Sequence, residues 1–466
     1  MRSSLVLIVA VLLSACNTTP EYETIDGVLE VPENRQNPDS RTLNLVYKVL
    51  KAKKPDSLKA PIVYLQGGPG GATLFMEAFW ENHPLRDDRD IVLMDQRGTG
   101  VSEANCIESG DAMFAILRLD LDEESEYIAV EEMLSECKVT IDNKRVDLAG
   151  YNSRENAADF EDLRKALGYE KWNLIGASYG TRLGLTIMRD FPNSVRTATL
   201  IAVLTPETNF YNDFLQNFEN SLFSVLKLCE ENESCKNRYP NLKERLLKSL
   251  KKLQTSPLHL EYKEQLFVLN PQDALLLLHQ SLYDRYGISN IPSLIEAFEG
   301  GETEPIVNAI KRIEFVYNII NLPMSFSVMA FEELPFYEGV SFDKTLNQQS
   351  ELEFNPTSFD LGFKLMANWH SYRASNIENQ AVVSEIPTLM ASGSLDPVTP
   401  TSNANKALKG LKNGHEVIFT DDSHDLFNPC LFEITENFLN DPYRKPDLDC
   451  STDRKSIEWN LLKPEQ

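Results

Sequence analysis

The sequence predicts an α/β protein, a mostly parallel central sheet with flanking helices, interrupted once by a helical insertion. Three observations predict it. From Glu21 to Thr205 short apolar runs alternate with longer amphipathic ones, the pattern of parallel strands joined by covering helices. From Pro206 the texture changes to long amphipathic runs at 214–228, 242–253 and 275–282, with few convincing strands before the mid-380s. Two strand-like runs then return, 388–392 after Pro387 and 416–420, each followed by a turn. The 466 residues would hold about three average domains, and one sheet with one insertion accounts for them equally well.

Taken in order, the chain begins with a short basic start, Met1-Arg2, then an apolar run from Leu5 to Leu13 and the small residues Ser14-Ala15-Cys16. This resembles a bacterial secretion signal over residues 1–15. Leu13-Ser14-Ala15-Cys16 resembles a lipobox, with Cys16 as the lipidated N-terminus and residues 16–24 as a tether. The apolar run has only about ten residues against the ~20 a transmembrane helix needs. Asn17 is not the aspartate of an inner-membrane retention signal, so the expected location is the bacterial cell envelope, anchored by lipid alone to the outer membrane and facing the periplasm.

Residues 25–205 are expected to form the first part of the core, with strands at 43–50, 62–65, 91–94, 172–175 and 197–203. The acidic stretch 120–136 reads as an exposed helix with a solvated charged face. Residues 206–360 form the helical cap insertion and 361–466 the second part of the core.

Charge and cysteines bound the chemistry. Seventy acidic residues against 45 basic give a net charge of -25, which argues against nucleic acid or an anionic membrane surface as a partner. Apart from Cys16, six cysteines remain, an even number that suggests disulfides in an exported chain. Neighbours in sequence suggest Cys106 with Cys137, Cys229 with Cys235, and Cys430 with Cys450. No cysteine or histidine group has zinc-site spacing, so neither a metal nor a cofactor is expected.

Gly176-Ala177-Ser178-Tyr179-Gly180 spells G-x-S-x-G, the pattern that lifts a serine onto a sharp strand-to-helix turn. About 0.15 such matches arise by chance in this length, so the flanks decide. A short apolar strand precedes it, and Leu183, Ile187 and Met188 follow at helical spacing until Asp190-Phe191-Pro192. In so tight a turn a Cβ at Gly176 or Gly180 would crowd the backbone.

A serine nucleophile needs a base, and the base needs an orienting acid. His424 sits in a polar loop after a strand, as does Asp396 in Gly393-Ser394-Leu395-Asp396-Pro397. With Ser178 they give the order serine, aspartate, histidine. Among the other histidines, His415 reads as the solvated edge of a strand, His259 and His279 fall in the insertion, His370 lies in a helix-like stretch, and His83 is placed to line the cleft. Asp421, Asp422 and Asp425 read as exposed loop carboxylates. The oxyanion of a tetrahedral intermediate needs two backbone N–H groups. Tyr179 supplies one, and the glycine-rich Gln66-Gly67-Gly68-Pro69-Gly70-Gly71 after an early strand fits the other. That loop lacks a P-loop lysine and G-x-G-x-x-G spacing, which argues against a nucleotide cradle.

Together Gly67 to Gly71, Asp95-Gln96-Arg97-Gly98-Thr99-Gly100-Val101-Ser102, Gly176 to Thr181, Asp396-Pro397-Val398-Thr399-Pro400 and His424 resemble the prolyl iminopeptidase and tripeptidyl aminopeptidase family. The resemblance covers nearly all of the chain after residue 24. It implies the α/β-hydrolase fold with an inserted cap, an acyl-enzyme, and peptide substrates with a free N-terminus. Ser178, Asp396 and His424 take the triad positions, Gly68 and Tyr179 the oxyanion positions, and Arg97 a structural one. Gln66 stands where prolyl iminopeptidases commonly have histidine, and Ala330 where the tripeptidyl branch usually has cysteine. In the cap segment, Glu332 and Glu333 take the place of carboxylates that bind a substrate α-amine; read without the resemblance, they are solvated helix residues. The alternatives are a carboxylesterase or amidase for small acyl substrates, and a catalytically silent lipoprotein binding module.

Overall fold

The computed structural model describes residues 22–101, 104, 106, 109–337, 350–354, 365–452 and 456–461. The expected signal peptide, Cys16 and most of the tether, Ser102, and the expected cap boundary at 360 lie outside the described residues.

Eight strands form one sheet in the order β1-β2-β4-β3-β5-β6-β9-β10. They are β1 (Thr24–Pro32), β2 (Thr42–Leu50), β3 (Ile62–Leu65), β4 (Ile91–Met94), β5 (Trp172–Ala177), β6 (Val195–Ile201), β9 (Thr388–Gly393) and β10 (Gly414–Phe419). β1 pairs antiparallel with β2 and β2 with β4; the pairings from β4 through β10 are parallel. The central strands Ile62–Leu65 and Ile91–Met94 are buried at every position, as unbroken apolar runs covered on both faces must be. β1 was not among the expected strands. Its burial alternates, because it forms an edge whose outer face meets water, and Ile25-Asp26-Gly27-Val28 lacks a clean apolar run.

The sheet's register fixes where chemistry can sit. Ala177 pairs with Ile201, Ile201 with Ala391, and Gly393 with Phe419, so β5, β9 and β10 end together at one edge. In parallel α/β sheets, the loops past the carboxyl ends of strands form the ligand crevice.

Between β6 and β9 the chain builds a helical body with its own apolar core, including Leu222, Leu246, Leu275, Ile291 and Ile310. Its helices include Phe210–Glu231, Leu242–Thr255, Pro271–Ser281, Arg285–Phe298, Glu304–Ile319 and Leu322–Glu332. Asn209 opens the first, its side chain accepting from the N–H of Tyr211 and Asn212. This body also contains an antiparallel hairpin, β7 (Leu258–Tyr262) with β8 (Gln265–Leu269), where a helical texture was expected. Leu260, Phe267 and Leu269 point into the helical core, and the short alternation is masked in sequence by long amphipathic runs on both sides.

The helix expected from the acidic stretch spans Glu123–Asn143, capped by Asp122. Cysteines pair as sequence neighbours, Cys106–Cys137, Cys229–Cys235 and Cys430–Cys450, with Cα separations of 5.7, 5.2 and 5.7 Å. Among the described residues no helix is long and apolar enough to cross a membrane.

Candidate active site

Ser178 joins β5 to the helix Tyr179–Asp190 with φ 54° and ψ −125°, a backbone conformation that L-residues avoid. Surrounding bonds hold it there. The Ser178 N–H donates to the Ile201 carbonyl at 2.9 Å. The Thr181 hydroxyl donates to the Ser178 carbonyl at 2.6 Å while accepting from the Leu204 N–H at 2.8 Å. Both glycines are sterically required: a Cβ on Gly180 would lie 2.0 Å from the Leu65 carbonyl oxygen, and one on Gly176 would lie 2.4 Å from that of Gly180.

The glycine-rich loop after β3 passes against the nucleophile. A Cβ on Gly67 would sit 3.0 Å from Ser178 Cβ and 3.6 Å from its Oγ. Gly68 has φ +120°, and a Cβ there would meet the amide nitrogens of Gly70 and Gly71 at 2.7 and 2.9 Å. Tyr179 is the first residue of its helix, where a backbone N–H has no intrahelical acceptor. Gln66 is tied down, its Oε1 accepting from the Tyr64 hydroxyl at 2.6 Å. The loop is also bridged to the helical body: the Asn321 N–H donates to the Gly70 carbonyl at 2.8 Å, and Gly71 pairs with Ile320.

Asp396 and His424 are brought together at the ends of β9 and β10. His424 Nδ1 lies 2.9 Å from Asp396 Oδ2. The same carboxylate accepts from the N–H groups of Val398 and Thr399 at 2.7 and 2.8 Å and from the Thr399 hydroxyl at 2.6 Å. Burial pushes the Asp396 carboxyl up, but His424 and these hydrogen bonds outweigh it and hold the group below its ordinary value. Burial likewise pulls the His424 imidazole down, and Asp396 more than reverses it, so its pKa is raised. With Nδ1 committed to a carboxylate as donor, Nε2 is the atom left to accept a proton. The sequence signal for Thr399 is the Asp-Pro-Val-Thr turn, in which an aspartate accepts from N–H groups two and three residues on.

Glu332 and Glu333 are both buried, not solvated, and both converge on Arg182, one turn beyond Ser178. Arg182 Nε lies 2.9 Å from Glu332 Oε2 and Nη1 lies 2.7 Å from Glu333 Oε1. Glu332 also accepts from the Ser153 N–H and hydroxyl at 2.5 and 2.8 Å, and Glu333 from the Phe210 N–H at 2.9 Å. Burial pushes both carboxyls up against the pull of Arg182. Arg182 was not singled out from sequence, since one arginine in a helix gives no sign that it is buried. Ala330 packs against Tyr211 and Met366.

The remaining residues sort clearly. Arg97 is buried, bidentate to Asp159 at 2.7 Å through Nε and Nη2, and it donates to the carbonyls of Glu33, Gly150 and Pro32. Its role is structural. His83 does not line the cleft: it is buried against Trp80, Phe79 and Phe432, caps a short turn through its Nδ1, and is pulled down to about 4 by burial and by Lys53. His415 lies in the edge strand β10, His259 in β7, and His279 among Phe214, Phe218 and Tyr283. His370 is buried with Nε2 3.0 Å from the Ser327 carbonyl. Asp422 is buried, contrary to its expected exposure, because its carbonyl accepts from the Leu395 N–H at 2.9 Å and locks the acid loop to the histidine loop.

A strained serine elbow, a glycine loop against it, and an Asp–His pair at the same end of the sheet define a serine hydrolase of the α/β class. An α/β hydrolase fold model matches residues 60–227, and a TAP-like protein model matches residues 361–450. These two matches support an α/β-hydrolase fold in a peptidase family with a TAP-like region. It is 26% identical over 194 residues to the tripeptidyl aminopeptidase of Streptomyces lividans, 39% of this chain and 35% of that one. It is also 26% identical over 222 residues to serine protease Hip1 of Mycobacterium tuberculosis, 45% of this chain and 42% of that one. The matched stretches thus span well under half the length of these curated relatives. The crystal structure of proline iminopeptidase from Mycobacterium smegmatis aligns with a TM-score of 0.45 at 14% identity, covering 90% of this chain and 99% of that one.

Proposed function

We propose that the protein is an exported serine aminopeptidase that releases residues from free peptide N-termini through an acyl-enzyme on Ser178. The observation that carries this reading is the Asp396–His424 pair, held at 2.9 Å at the sheet edge where the Ser178 elbow also ends. In the proposed reaction Ser178 Oγ attacks the scissile carbonyl and His424 Nε2 takes its proton. Asp396 stabilises the resulting imidazolium, while the N–H groups of Tyr179 and Gly68 receive the oxyanion. His424 then protonates the leaving amine, and water repeats the cycle on the acyl-enzyme.

Selection of a free amine is assigned to Glu332 and Glu333. Two buried carboxyls share the single guanidinium of Arg182, and a substrate ammonium nearby would favour their ionised form and be held by it. The tripeptidyl aminopeptidase and serine protease names of the relatives point the same way. Export and a lipid anchor on the outer membrane are supported by the basic start, apolar run and Leu13-Ser14-Ala15-Cys16 of the sequence, together with the three disulfides.

A panel of mono-, di- and tripeptidyl amides, each free and N-acetylated, tests the substrate reading beside simple butyryl esters. Free amines turn over and acetylated ones do not if the glutamates select the N-terminus. Equal turnover of both sinks amine selection, and preference for the esters makes the protein a carboxylesterase. Failure of a fluorophosphonate to label Ser178 leaves only a binding module. Mass spectrometry of the detergent-extracted protein checks the anchor: an acylated N-terminus at Cys16 is expected, and an intact Met1 overturns it.

A further inference from the structure

His424 stands five residues beyond the end of β10, in a loop with no strand ladder to hold it. The acid loop ties it in part, through the Leu395 N–H to the Asp422 carbonyl at 2.9 Å and the Asp421 N–H to the Ser394 hydroxyl at 3.0 Å, and the helical body adds further supports. On one side the Arg285 guanidinium donates from Nη1 to the Asp421 carbonyl at 2.8 Å. On the other, the Asp425 N–H donates to the Tyr283 carbonyl at 2.8 Å. Between them the buried Ser423 hydroxyl donates to the Leu282 carbonyl and lies 3.1 Å from that of Leu395. The Tyr283 ring then meets the His424 imidazole edge to face, with centroids 4.9 Å apart and planes at 63°. The body reaches the acid loop too, where the Ser221 hydroxyl donates to the Leu395 carbonyl at 2.6 Å.

We infer that segment 282–285 of the helical body positions the catalytic base, with Tyr283 and Arg285 as positioning residues that act through His424. The inference rests on the triad reading of Ser178, Asp396 and His424. Asp396 Oδ2 at 2.9 Å and the Thr399 hydroxyl at 3.2 Å both meet the imidazole at Nδ1, which fixes that point but leaves the ring free to swing about it. Proton transfer needs Nε2 within hydrogen-bond reach of Ser178, so a ring that swings loses rate without losing substrate affinity. Tyr283 blocks the swing, and the contacts at 421, 423 and 425 fix the loop on both sides of the histidine. The helical body is thereby part of the machinery of the base.

The test uses the full chain and two readouts, the rate at which a fluorophosphonate labels Ser178 and the separate kcat and KM for a free aminoacyl amide. Arg285→Ala and Tyr283→Ala are expected to lower labelling and kcat by about tenfold or more with KM within about twofold. Tyr283→Phe, which keeps the ring, is expected to recover most of the lost rate. Melting temperature separates misfolding from misplacement, and the part-exposed Arg285 carries the test if Tyr283→Ala does not fold. Labelling within about twofold of the parent in a folded Arg285→Ala, or a loss confined to KM, overturns the inference. His424→Ala separates the two readings: if it labels like the parent, the triad itself is wrong, and the inference falls with it.

Discussion

His424 Nδ1 lies 2.9 Å from Oδ2 of Asp396, and the Thr399 hydroxyl donates to that same oxygen at 2.6 Å. The carboxylate therefore has one place for an imidazole N–H and no room for an alternative partner. Asp396→Asn presents an amide to Nδ1, which favours the tautomer carrying its proton on Nε2, the wrong one for a base. A fall in kcat of about 10⁴-fold is expected with the fold intact by circular dichroism. A loss below about tenfold would remove Asp396 from the triad.

The pH profile follows from the same pair. Only the neutral imidazole accepts the serine proton, and Asp396 raises the His424 pKa from its ordinary 6.5 despite burial. The acid limb of kcat/KM is expected to lie above pH 6.5, and Asp396→Asn should move the residual activity's limb downward. Stability takes the opposite sign: a raised folded pKa stabilises the fold below the unfolded value, and that contribution is lost as pH rises through the folded one. A limb below pH 6.5 in the parent would contradict this geometry.

His83 runs the other way. Burial and Lys53 pull it down to about 4, so the fold holds it neutral while the unfolded chain takes up a proton near 6.5. Its contribution to stability is complete above the unfolded value and is lost as pH falls from there toward 4. His83→Phe keeps an aromatic ring among Trp80, Phe79 and Phe432 and should flatten the fall in urea midpoint between pH 6.5 and 4. An unchanged slope would show that other groups govern acid unfolding.

Gly180→Ala would drive a methyl group to within 2.0 Å of the Leu65 carbonyl oxygen, which is backbone and cannot step aside. A cost of about 3 kcal/mol in chemical unfolding is expected, with fluorophosphonate labelling lost in whatever fraction folds. Near-parent stability would mean that the elbow is looser than its contacts imply.

Arg97→Met removes the bidentate partner of buried Asp159 and leaves three carbonyls short of a donor. About 3 to 5 kcal/mol of stability should go, while the folded fraction keeps its labelling rate at Ser178. A selective loss of labelling would assign Arg97 to the site instead.

What could be read from the sequence followed the strength of local signals. Ile62–Leu65 and Ile91–Met94 stand where expected because a buried central strand is an unbroken apolar run between polar turns. Ser178 was legible from its G-x-S-x-G elbow after an apolar strand, and Asp396 and His424 from polar loops after the two strands that return late in the chain. β1 and the β7–β8 hairpin were not, since their alternation is short and half polar. Burial of charged groups was the least legible property. Glu332, Glu333 and Arg182 look like an ordinary helix surface in sequence; only the fold brings the arginine of one helix under the end of another. His83 misled for a related reason, as a histidine after an early loop gives no hint of the three aromatic rings that enclose it.

The helix Leu322–Glu332 is fastened at both ends, by Asn321 to Gly70 at its start and by Glu332 to Arg182 and Ser153 at its finish. It therefore behaves as a strut of fixed span, roughly 16 Å long for its eleven residues, between the loop over the nucleophile and the helix behind it. Any shift of it would move the glycine-rich loop and the helix after Ser178 together, so the alignment of these two is set through a single mechanical part.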